Sequence, residues 1–145
     1  IGIGSLLCDG IGDTLRVSLT DDPTEEVDAA KQILQAVGIE GQCGLDIVSC
    51  PTCARTKIDL IPLVKRFEDA VAKEGLSDVP VKVALMGCVV NGPGEAREAD
   101  VGIAGGIGEA VLFRHGEIVE KIPEDAVIER LISEIRVIAK ERKLL

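Results

Sequence analysis

Residues 79–96 read VPVKVALMGCVVNGPGEA, and the fold turns on how this stretch is parsed. Val79, Val81, Val83 and Leu85 alternate against Lys82 and Ala84, which is the period of a strand. The pattern stops at Gly87 and Cys88. Asn91-Gly92-Pro93-Gly94 then demands a sharp turn, because such a run can continue neither a helix nor a central strand. Upstream, LDIVSCPTCARTK (45–57) repeats the plan, with a short strand running into a loop that carries Cys50 and Cys53. Two cysteine loops therefore leave strand ends.

Between them, DLIPLVKRFEDAVAKEG (59–75) predicts a helix with Asp59 as its cap, Pro62 confined to the first turn and Gly75 as its stop. Beyond the second loop, ADVGIAGG (99–106), AVLFR (110–114) and EIVEKI (117–122) read as strands, the last two joined in a hairpin through His115-Gly116. PEDAVIERLISEIRVIAKERK (123–143) closes the chain as an amphipathic helix, with Ile128, Leu131, Ile135 and Ile138 on one face and a basic last turn. At the other end, TLRVSL (14–19) alternates as a strand. DDPTEEVDAAKQILQAVG (21–38) follows as a helix with Pro23 at its start, Gly38 as its stop, and Val27, Ala30, Leu34 and Val37 on one face. The grammar changes near Glu40, so residues 1–39 and 40–145 are expected to belong to different domains.

A chain of 145 residues with 46% hydrophobic content can bury a real core. Sixteen basic against 25 acidic residues leave a formal charge of -9, without a basic stripe and without tryptophan or tyrosine for base stacking. No nucleic-acid partner is expected. No apolar run approaches the roughly twenty residues that span a bilayer, so no membrane association is expected either. The chain opens on Ile1 without a secretory signal, which leads us to expect a cytoplasmic piece of a longer protein. Five cysteines, an odd number, argue for metal or redox chemistry over a disulfide framework.

Cys50 and Cys53 alone allow a redox dithiol, half of a zinc site or part of an iron–sulfur centre. The second loop adds one thiol, Cys88, and a carboxylate, Glu95. Three thiolates with a carboxylate make an awkward zinc cage. They suit a [4Fe–4S] cluster in which three irons take soft thiolates and the fourth a harder, more exchangeable oxygen.

The motifs CPTCART and MGCVVNGPGEA, with GIGDTLRVSLTDDPTEEV before them and DVGIAGG after, closely resemble the C-terminal part of the 4-hydroxy-3-methylbut-2-enyl diphosphate synthase family. These are iron–sulfur enzymes of the non-mevalonate (MEP) route to isoprenoids. The resemblance covers nearly the whole chain. It implies that Cys50, Cys53, Cys88 and Glu95 hold a [4Fe–4S] cluster, with Glu95 also catalytic as the exchangeable ligand. The implied reaction is reductive opening of 2-C-methyl-D-erythritol 2,4-cyclodiphosphate with loss of a hydroxyl, using electrons from ferredoxin or flavodoxin. The implied fold is an α+β iron–sulfur domain over 40–145, like the cluster domain of sulfite and nitrite reductases, preceded over 1–39 by the last βα unit of a TIM barrel. The full-length family member is a homodimer that sets the cluster domain of one subunit over the barrel of the other, so this chain alone should not turn over substrate. Ser18 and Arg16, at a strand end where barrels place ligand contacts, are candidate substrate residues, as are Asn91 and Arg55 near the cysteine motifs.

Plainer roles stand beside these. Asn91 before glycine also reads as a turn residue, and Arg55 as a solvated surface charge. Cys8 and Cys43 read as small buried hydrophobes and His115 as a turn residue. The glycines of GIAGGIG (102–108) read as strand-end turns, since EAVLFR, where a dinucleotide site needs a helix, reads as strand. Lys57, Lys65, Arg66 and Lys73 form a basic group that would suit an acidic electron carrier. The rival to the enzyme reading is a non-catalytic module in which a cluster only relays electrons or zinc only staples the loops.

Overall fold

The computed structural model describes residues 1–39, 44–90, 94 and 96–144. The chain divides into two compact units, Ile1–Cys43 and Gly44–Leu145.

The first unit holds helices α1 (Gly2–Cys8) and α2 (Pro23–Ala36). Asp22 caps α2: its Oδ1 accepts the Thr24 N–H at 2.9 Å and the Thr24 hydroxyl at 2.7 Å, while Pro23 occupies a position whose missing N–H costs nothing. Gly38, at φ +75°, ends the helical run as expected. Two expectations fail here. Residues 14–19 join no strand ladder among the described residues, because an extended segment becomes a strand only when its donors and acceptors meet a neighbour. The Leu19 N–H instead donates to Glu26 Oε1 at 3.0 Å. Cys8 is exposed rather than buried, since Leu7 alone in α1 is buried in this small unit. α1 itself was not anticipated: Gly2 and Gly4 in its short span argue against a helix. Val27 also remains exposed, whereas Ala30, Leu34 and Val37 are half-buried.

The second unit is built on a five-stranded mixed sheet in the order β1 (Asp46–Ser49), β2 (Lys82–Met86), β3 (Val101–Gly105), β4 (Glu109–Arg114) and β5 (Glu117–Pro123). β1, β2 and β3 run parallel, and β4 and β5 complete the sheet antiparallel. Helix α3 (Leu60–Lys73) makes the crossover from β1 to β2, and α4 (Val127–Glu141) follows a short 3-10 turn over Glu124–Ala126. At the β4–β5 turn both His115 (φ +49°) and Gly116 (φ +81°) are left-handed, the geometry of the tight hairpin expected there.

Alternation along the strands sorts two cores. Val83, Leu85, Val101, Ile103, Ala110 and Leu112 face α3 and α4, which bring Leu63, Phe67, Val71, Leu131, Ile135 and Ile138 onto them at helical spacing. The opposite face carries Ala84, Met86, Ala104 and Phe113, covered by Ala96 and Ala99. These small residues let segment 96–99 lie close over the sheet. Gly102 and Gly105 lie within β3 rather than in turns. A Cβ on Gly102 would stand 2.5 Å from the Phe113 ring and 2.6 Å from the Ala84 carbonyl oxygen, so close packing requires glycine there. Among the described residues no helix is long and apolar enough to cross a membrane.

Candidate functional site

The register fixes where the cysteine loops begin. Ser49 pairs with Leu85, and Leu85 with Ile103, so β1, β2 and β3 end at one edge of the sheet with their carboxyl ends level. Parallel α/β sheets open their binding crevices at this edge. Cys50 follows β1 directly, and Cys88 follows β2 after Gly87. Backbone bonds tie the two exits together: the Cys50 N–H donates to the Leu85 carbonyl at 3.3 Å and the Lys57 N–H to the Gly87 carbonyl at 2.9 Å. The Gly87 N–H donates to Cys50 Sγ at 3.3 Å.

The result is a cleft of about 200 Å³ lined by Cys50, Pro51, Thr52, Cys53, Arg55, Thr56 and Cys88. Cys50 is half-buried and packs against both cores, Cys88 is half-buried, and Cys53 is exposed. Thr52 sits at φ +60°, a left-handed conformation unusual for a β-branched residue, in the two-residue span that separates Cys50 from Cys53. The Arg55 N–H and guanidinium, followed by the Thr56 N–H, hold the Cys53 thiol below its ordinary pKa, which favours the thiolate that binds metal. Arg55 thus lines the cleft as a neighbour of a thiol.

A second, more apolar cleft of about 330 Å³ adjoins the first, since Cys88 lines both; its walls include Arg55, Lys57, Val89, Val90 and Ile107. Lys65, Arg66 and Lys73 lie exposed along α3. Asn91, Glu95 and Cys43 lie outside the described residues. Arg16 and Ser18 are exposed in the first unit.

The donors test the expected cofactor. Cys50, Cys53 and Cys88 line one cleft, and among the described residues no three His, Cys, Asp or Glu side chains form a group that could hold a single ion. Three cysteines are a soft donor set of the kind an iron–sulfur centre takes. The residues present fit the group.

Two contributors were missed by sequence reasoning. Thr56 accepts the Cys53 N–H on its Oγ1 at 3.0 Å, a bond whose sequence signal was only a threonine three residues after the cysteine. Gly87 lies against Thr56, and nothing in the sequence marks that contact.

Fold and cleft together define a mixed α+β domain with a thiol site at the carboxyl ends of its parallel strands. The chain belongs to the GcpE family: residues 46–137 match the GcpE protein C-terminal domain and residues 1–31 the GcpE TIM-barrel domain. It is 56% identical over 142 residues to 4-hydroxy-3-methylbut-2-en-1-yl diphosphate synthase (flavodoxin) of Geobacter sulfurreducens, covering 98% of this chain and 39% of that protein. The protein of the same name from Geobacillus kaustophilus is 52% identical over 141 residues, 97% of this chain and 37% of its own length. That of Clostridium perfringens is 54% identical over 138 residues, 95% and 38%. The chain spans less than two fifths of the length of these relatives.

Proposed function

We propose that this chain is the cluster-bearing part of a 4-hydroxy-3-methylbut-2-en-1-yl diphosphate synthase, an oxidoreductase of isoprenoid biosynthesis. The observation that carries the reading is the convergence of Cys50, Cys53 and Cys88 on one cleft, in a chain of this family. The reaction adds two electrons and two protons to 2-C-methyl-D-erythritol 2,4-cyclodiphosphate, opens the ring and releases water. A bound [4Fe–4S] cluster supplies single electrons and a Lewis-acidic iron. Cys50, Cys53 and Cys88 would hold it, with Glu95 as the fourth, exchangeable ligand.

The remaining roles belong to the same proposal. Residues 1–39 are the last βα unit of a TIM barrel and 40–145 the cluster domain, related in fold to the sulfite and nitrite reductase cluster domain. Ser18 and Arg16 contact the diphosphate from the barrel side; Arg55 and Asn91 contact it from the cluster side, where the Arg55 guanidinium offers paired donors suited to phosphate oxygens. The full-length protein acts as a homodimer, and flavodoxin, the donor printed in its relatives' names, delivers the electrons. Its free thiols suit a reducing, cytoplasmic setting.

Anaerobic reconstitution with iron and sulfide, followed by Mössbauer and EPR spectra of the wild type and Glu95→Ala, tests the reading. A [4Fe–4S] signature in which the substitution alters one iron site is the expected result. A colourless protein holding stoichiometric zinc would overturn it.

A further inference from the structure

We propose that Thr56 is a positioning residue that clasps the two cysteine loops together, setting Cys53 and Cys88 against Cys50 so that their sulfurs face a metal centre as one set. The inference rests on the reading of those three cysteines as ligands and adds a residue outside the ligand set.

Thr56 grips the first loop from both sides. Its Oγ1 accepts the Cys53 N–H at 3.0 Å, and its own N–H donates to the Cys53 carbonyl at 3.0 Å. Both polar groups of the Cys53 backbone are thereby fixed by one residue, although Cys53 itself is exposed and water could otherwise serve them.

The same side chain reaches the second loop. A Cβ on Gly87 would stand 2.7 Å from Thr56 Cγ2 and 2.8 Å from Thr56 Oγ1, so the threonine fills the space that the glycine leaves open. Gly87 immediately precedes Cys88, its carbonyl accepts the Lys57 N–H at 2.9 Å, and its N–H donates to Cys50 Sγ at 3.3 Å. One connected path thus runs from Cys53 through Thr56 and Gly87 to Cys50, with Cys88 one residue away. Threonine suits the position because it combines the hydroxyl that holds Cys53 with the methyl that packs on Gly87. Serine keeps the first function, valine only the second. Residues that orient metal ligands typically change metal affinity about 10- to 100-fold when removed.

The test uses the 145-residue chain reconstituted anaerobically with iron and sulfide, and follows iron retention against a ferrous chelator, the EPR spectrum of the reduced protein and the thermal midpoint of the metal-free chain. Thr56→Val and Gly87→Ala are expected to retain iron about 10- to 100-fold more weakly than wild type and to broaden the EPR lines, with the thermal midpoint unchanged in Thr56→Val and lowered in Gly87→Ala, whose added methyl meets Thr56. Thr56→Ser, which keeps the hydroxyl on Cys53 and loses the methyl on Gly87, is expected to retain iron less well than wild type and better than Thr56→Val. Wild-type retention in a folded Thr56→Val, or loss in Thr56→Ser equal to that in Thr56→Val, would overturn the proposal. Should Thr56→Val fail to fold, Thr56→Ala takes its place under the same criteria. A wild-type chain that takes up no cluster refutes the ligand reading itself, whereas equal retention by every variant refutes only the role of Thr56.

Discussion

Arg142, the C-cap of α4, closes on the Asp100 carboxylate at the head of β3 through both terminal guanidinium nitrogens, Nη1 and Nη2. Asp100 is buried, and its Oδ2 also accepts the Lys82 N–H at 2.8 Å, so one carboxylate joins β2, β3 and the end of the last helix. Asp100→Ala should lower unfolding free energy by about 2–3 kcal/mol, since it strips a charged acceptor from the part-buried Lys82 N–H and leaves the guanidinium only the Pro80 carbonyl, which its Nη1 meets at 3.0 Å. Arg142→Met, which leaves the Lys82 bond intact and also gives up the bond to the Pro80 carbonyl, should cost about 1 kcal/mol. Urea unfolding of the three proteins measures both, and equal costs would show that Arg142 rather than Lys82 dominates.

Gly102 tolerates no side chain. In Gly102→Ala the added methyl meets the Phe113 ring and the Ala84 carbonyl, and we expect a loss of about 2–3 kcal/mol from overpacking. Phe113→Leu in the same background should restore only part of it, because the Ala84 oxygen belongs to backbone that cannot step aside. Full restoration in a chemical denaturation series would place the whole clash on the ring.

The thiol of Cys53 should react at lower pH than an ordinary cysteine. Its pKa is lowered first by the Arg55 N–H and then by the Arg55 guanidinium, so a larger thiolate fraction is present at neutral pH. The pH profile of iodoacetamide alkylation in the metal-free chain, followed by peptide mass spectrometry, should show Cys53 ahead of Cys8. Arg55→Gln should move the profile up only in part, because the backbone donor remains.

Asp22 should stabilise α2 in a pH-dependent way. The Thr24 N–H and hydroxyl hold its carboxyl below the usual carboxylate range, so the folded pKa lies below the unfolded one. Its contribution is complete above the unfolded pKa, near about 3.9, and is lost as pH falls through the folded value. Carboxyl carbon shifts in an NMR titration should place the Asp22 midpoint below that of free aspartate. A midpoint at or above the free value would refute the cap.

Much of the second unit could be read directly from its residues. Period-two alternation marked β2, and the spacing of Ile128, Leu131, Ile135 and Ile138 marked α4, because each element buries one face against a core contained in the same unit. The hairpin was legible for a local reason, since His115-Gly116 accepts two left-handed conformations. TLRVSL fails on the opposite ground: its alternation describes a strand only where neighbouring strands supply its ladder. Gly102 and Gly105 looked like turn residues because the sequence shows a missing Cβ and not what occupies the space. At the site, the cysteines announced themselves by chemistry and spacing. Thr56 and the left-handed Thr52 did not, as their roles arise from a contact and a dihedral that residue identity alone does not encode.

The sheet's division into a parallel and an antiparallel half has a consequence for the order in which the protein assembles. β4 and β5 meet across a two-residue turn, whereas pairing Asp46 with Lys82 must close a loop around the whole of α3. Short loops close at lower entropic cost and sooner. The hairpin can therefore act as an early template, with β1 and the cysteine exits joining late. The sulfurs would then remain open to solvent, and to any metal or oxidant in it, through the longest part of the folding time.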